Sequence, residues 1–159
     1  MRPVPTLFER PTDEVIATVL ERHPDVRQAL EETWRAAWEA VDPVLLELCR
    51  LRIAALLGCD AELSSPTPAA VAAGLDAERV ETLSRWPTSP LFGRRERACL
   101  AFTEQFVIDV AGLDDDTAGA VREQLGDQGF VDFVNALLVV EQRQRLRLTW
   151  QRLFEPVHQ

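Results

Sequence analysis

A chain of 159 residues that is 47% apolar and 27% charged, with only seven glycines, has the size and composition of one compact domain and argues against a β-rich fold. The net charge is −9, and all 17 basic residues are arginine, so no basic face is offered to nucleic acid and no lysine is available for a Schiff base or a P-loop. Two histidines, His23 and His158, both at peripheral-looking places, leave no Ser-His-Asp triad, histidine zinc site or HExxH motif.

The hydrophobic spacing predicts helices almost throughout. After a proline-rich entry, Thr12 is placed to cap a helix with Val15, Ile16, Val19 and Leu20 on its apolar face, ended by His23-Pro24. Residues 25–41 carry Val26, Leu30, Trp34, Trp38 and Val41 at spacings of three and four. Asp42-Pro43 reads as a cap and first-turn proline for VLLELCRLRIAALLG (44–58), which is too apolar all round for a surface helix and is closed by Gly58. PAAVAAG (68–74) is a short helix behind Thr67, and Asp76 starts another through Val80, Leu83 and Trp86. PTSPLFG (87–93) reads as a loop. A long helix follows over 94–112, with Ala98, Leu100, Phe102, Phe106 and Ile108 in its buried rows, then a short polar helix over 114–126 ending at Gly126. The last helix (129–154) is apolar first and arginine-rich afterwards. The expected architecture is an all-α, single-domain helical bundle, with residues 1–11 as an N-terminal extension and 12–155 as the domain.

No apolar run reaches the ~18–20 residues that cross a bilayer, and the N-terminus lacks a signal-peptide segment, so no membrane partner and a cytoplasmic location are expected. In that compartment Cys49, Cys59 and Cys99 are expected to be thiols. Cys49 and Cys99 lie within apolar helical faces and read as core.

Two positions stand out chemically. Glu47 is a single carboxylate among leucines. Burial would raise its pKa toward the range useful for proton transfer, whereas pairing with Arg50, one turn on, would make it structural. Cys59 follows Gly58 at a helix boundary: a helix beginning there would favour a thiolate, Glu62 one turn along opposes it, and a small buried core residue is the plain alternative. Trp34 and Trp38 read as core or interface rather than pocket. Arg143, Arg145 and Arg147 alternate through the last helix and read as solvation or salt bridges rather than an anion site.

The ordered set ELCRLRIAALLGCDAE (47–62), PAAVAAGL (68–75) and WPTSPLFGRRERACLAFTE (86–104), followed by a short acidic and a long arginine-bearing helix, resembles the alkylhydroperoxidase D / carboxymuconolactone decarboxylase superfamily. Its members typically read E-L-x-x-L-x-x-x-x-x-N-G-C-x-x-C-x-x-x-H. Glu47, Leu48, Leu51, Gly58 and Cys59 fall at matching offsets. The second cysteine position holds Glu62 and the histidine position Pro66. One cysteine cannot close the CxxC disulfide of the peroxidase branch. The decarboxylase branch is similar to this chain in carrying glutamate at position 62.

The resemblance implies Glu47, Cys59 and Glu62 as catalytic residues, without cofactor or metal. It implies a small-molecule substrate and a homo-oligomer of two, three or six chains. Three functions follow from it. One is a non-redox enzyme using carboxylate proton transfer to decarboxylate or isomerise an organic acid. Another is a one-cysteine, peroxiredoxin-like thiol enzyme. The third is a non-catalytic binding or assembly member.

Overall fold

The computed structural model describes residues 3–7, 14–64 and 66–154, and all structural statements concern these. Eight α-helices are found among them: α1 (Glu14–Glu21), α2 (Pro24–Ala40), α3 (Pro43–Leu57), α4 (Asp60–Leu63), α5 (Pro68–Ala72), α6 (Ala77–Thr82), α7 (Arg94–Ile108) and α8 (Asp115–Phe154). Short 3₁₀ turns follow α6 at Leu83–Arg85 and α7 at Val110–Gly112. No strand occurs among the described residues, and no helix there is long and apolar enough to cross a membrane. The expected cap Thr12 and the peripheral His158 lie outside the described residues.

α3 is the axis of the bundle, with α7 and α8 packed along it and α2 laid against α8. Its start and stop are local chemistry. Asp42 accepts the Leu45 N–H through Oδ1 at 2.9 Å, and Pro43 occupies the first turn, where no N–H is needed. Gly58, at φ 68°, adopts the left-handed conformation that ends the helix, and its own N–H and that of Cys59 return to the carbonyls of Ala55 and Ala54. In between, Leu45, Leu46, Leu48, Leu51 and Ile53 are buried on all sides of the helix.

The surrounding core is aromatic at one end. Phe102 of α7 meets Phe130 of α8 edge-on at 5.6 Å and packs 6.0 Å from Phe133. Trp34 and Trp38 of α2 lie 5.6 Å apart and are both buried, as core packing predicts. Burial differs from expectation at two places. Val26, in the first turn of α2, is 51% exposed, and Ile108, the last residue of α7, is 67% exposed.

Two hinges redirect the chain around α3. The prolines 66 and 68 keep α4 and α5 from forming one helix, and Thr67 between them caps α5. Within α8, Gly126 (φ 74°, ψ 173°) interrupts the helical backbone, so 115–125 and 127–154 point differently. That backbone region is nearly closed to other residues.

Candidate functional site

α3 contacts α4, α5 and α8, and α3, α4, the Thr67 cap of α5 and the second half of α8 contribute polar groups to one buried cluster. Glu47 and Arg50, one turn apart on α3, face the same way. Arg50 grips Glu47 with two donors, Nε to Oε2 at 2.9 Å and Nη2 to Oε1 at 2.6 Å. The same carboxylate accepts the Thr67 backbone N–H at 2.8 Å and its hydroxyl at 3.2 Å. Arg50 reaches on through Nη1 to Glu62 of α4, meeting its carboxylate at 2.5 Å and its backbone carbonyl at 3.1 Å. Glu62 in turn accepts Arg147 at 2.6 Å and Arg143 through the same oxygen, Oε1, leaving Oε2 to Arg50. Arg143 also donates through Nε and Nη2 to the Leu7 carbonyl at 3.0 and 2.8 Å, and its guanidinium lies 5.1 Å from the Trp34 ring centre. Gln144 fastens α8 to α3 by donating to the Arg50 carbonyl at 2.9 Å.

The cluster is dry. Glu47, Arg50, Glu62 and Arg147 are each at most 1% exposed. Burial alone would raise the Glu62 pKa, but the guanidiniums of Arg143, Arg50 and Arg147 outweigh it and hold the carboxyl at about 2. Burial likewise opposes the charge on Arg50, yet Glu47 and Glu62 keep its pKa above the ordinary value. Charges at such distances in a low-dielectric interior bind strongly only because each removed water is replaced by a partner.

Cys59 sits at the N-terminal boundary of α4, buried, with its carbonyl accepting the Glu62 N–H at 3.0 Å. Burial, and then the Glu62 charge, push its thiol above the usual range, against smaller opposing effects of the Glu62 backbone N–H and the arginines. Four residues of helix are too few to supply the dipole that would favour a thiolate. Cys49 and Cys99 are core thiols as expected, both raised first by burial, Cys99 to about 12.

The structure thus brings Glu47, Cys59 and Glu62 into one neighbourhood. The Glu47–Arg50 pair that the spacing offers forms, and it is fully buried. The last helix forms salt bridges, one of the two outcomes expected of its arginines, and two of them are buried. Arg145 is exposed and pairs with Glu141, while Arg143 and Arg147 are buried partners of Glu62, not surface solvation. Their spacing of four, on the stripe that holds Val140 and Gln144, is the signal that separates them from Arg145.

Comparison with known proteins identifies the family and the fold. The family model described as the carboxymuconolactone decarboxylase family matches residues 24–105, just over half of the chain, and includes Glu47, Arg50, Cys59 and Glu62. A crystal structure of a protein of unknown function from Agrobacterium tumefaciens, ATU0492, named as a candidate antioxidant defence protein AhpD, is similar in fold, with a TM-score of 0.72. At 20% identity it covers 88% of this chain and 97% of its own. No curated protein matches the chain. The all-α fold and the order of motifs along α3 to α7 have one origin: the chain belongs to the carboxymuconolactone decarboxylase family.

Proposed function

We propose that this chain is a non-redox, non-catalytic binding member of its family, in which the family's reaction centre serves as a fixed ionic framework. One observation carries the reading: all four carboxylate oxygens of Glu47 and Glu62 are engaged by donors within a buried cluster. A proton relay needs a group that changes protonation near neutral pH and reaches its substrate. Glu62, held at about 2, stays ionised at any physiological pH. Self-association belongs to the same reading, and the exposed Val131 and Leu138, seven residues apart on α8, offer an apolar stripe for it.

A second reading, decarboxylation or isomerisation of an organic acid by Glu47 with Glu62 and Cys59, is favoured by the meeting of the two carboxylates on Arg50, with Cys59 one turn before Glu62. Carbon-13 NMR titration of the glutamate side chains separates the two. The expected result is a Glu62 carboxyl that titrates near pH 2. A glutamate of the cluster titrating between pH 5 and 7 would restore proton transfer.

The one-cysteine peroxidase reading makes a different demand, a thiolate at neutral pH. Alkylation by iodoacetamide, followed by peptide mass spectrometry from pH 6 to 10, should find Cys59 slow, with an apparent pKa above the unperturbed ~8.5. Fast labelling at pH 6–7 would bring thiol chemistry back.

A further inference from the structure

Residues 3–7 form a strap across the outer end of the cluster. Pro5 and Leu7 are buried, and the Pro5 carbonyl accepts the Trp34 indole N–H at 2.8 Å. The Leu7 carbonyl receives two donors of one guanidinium, Nε and Nη2 of Arg143. That edge of an arginine presents two parallel N–H groups, a spacing that the two oxygens of a carboxylate match, so a carboxylate would take one bond on each oxygen and add its own charge to both. Here both converge on a single uncharged oxygen.

The Leu7 side chain meanwhile fills apolar space. On one side of it lies a residual cavity of about 20 Å³, room for no more than a water molecule, walled by Leu7, Ile16, Leu30, Trp34, Val139 and Leu146. On the other side a cleft of about 490 Å³ separates the strap from α2. Leu7 and Trp34 wall both, so withdrawal of Leu7 would merge them beside Arg143. An oxygen on the guanidinium and an aliphatic body in the adjacent pocket make up the outline of an apolar monocarboxylate.

We propose that the strap occupies a binding site for an apolar monocarboxylate, with Arg143 as the headgroup anchor, the Leu7 pocket as the site of the hydrocarbon, and the Leu7 carbonyl and side chain as the built-in competitor. A tethered competitor acts at an effective concentration of the order of millimolar, so the intact strap lowers the apparent affinity of any acid that must displace it. Such a site operates whether or not Glu47 and Glu62 move protons.

The test is calorimetric titration of the full chain with octanoate, and with octanol as the uncharged probe. Leu7→Ala empties the plug while keeping the backbone, and Leu7→Met keeps the plug. Octanoate should bind Leu7→Ala at least tenfold tighter than the wild type or Leu7→Met, octanol at least tenfold more weakly than octanoate, and the NMR signal of the Trp34 indole N–H should shift as its bond to Pro5 breaks. Equal octanoate affinity in the wild type and Leu7→Ala, no binding by either, or octanol binding as well as octanoate would overturn the proposal.

Discussion

Glu62→Ala is expected to lower the free energy of unfolding at pH 7 by about 3–5 kcal/mol, the range for removing one partner of a buried ionic cluster. Three guanidiniums, those of Arg50, Arg143 and Arg147, meet on this carboxylate, and none can lose its proton to escape the low-dielectric surroundings. Urea denaturation of the variant and the wild type measures the loss directly. Its pH dependence has a defined sign. The Glu62 carboxyl titrates at about 2 in the folded chain against an ordinary value of 4.5, so its stabilisation is complete above about pH 4.5 and disappears as the pH falls through about 2. The gap between wild type and variant should therefore be constant from pH 7 to pH 5 and narrow below that. A gap that stays constant down to pH 2, or a loss below 1 kcal/mol, would show that the cluster is not held through ionised Glu62.

Arg50→Met should cost a similar about 3–5 kcal/mol at pH 7, with the opposite pH dependence. The substitution keeps an aliphatic stem of comparable shape but leaves Glu47 and Glu62 without the cation they share. Glu62 keeps Arg143 and Arg147, but Glu47 is left with the Thr67 donors alone, and a buried carboxylate without a cation is favoured when protonated, so stability is lost as the pH increases. The variant is expected to be most stable near pH 4–5 and to weaken toward pH 8. Denaturation midpoints across that interval decide the point, and a variant whose stability stays constant or rises with pH across it would contradict it. Glu62→Ala in the Arg50→Met background should cost less than the sum of the single losses, because the two residues share one network.

The frame of the molecule was readable from local chemistry. Asp42-Pro43 and Gly58 bracket α3, Thr67 and Asp76 cap the helices expected of them, and the apolar circumference of 44–58 marks the central helix. Each of those signals acts within a turn or two of chain. The Glu47, Cys59 and Glu62 neighbourhood was legible only through an ordered family motif, since nothing in one helix announces what its far neighbour offers. The salt bridges of Arg143 and Arg147 are of the kind expected, but their burial was not legible, because an arginine in isolation belongs in water and their partner, Glu62, lies 81 and 85 residues away. Leu7 was illegible for the same cause: its value lies in a carbonyl 136 positions from the arginine that uses it. Val26 and Ile108 show the converse limit, since periodicity marks a face as apolar but does not say how far the covering neighbour extends.

The separation along the chain also orders events during synthesis. Glu47, Arg50 and Glu62 leave the ribosome well before Arg143 and Arg147, an interval of roughly 4–16 s for 81 residues at ~5–20 residues per second. Until the second half of α8 arrives, Glu62 can find only Arg50, and the nascent α3, apolar on all sides, has no wall on that flank. The last of the cluster's residues to be made are those that neutralise Glu62 and close this flank. The ionic centre is therefore completed only once Arg147 has been translated and has docked on Glu62.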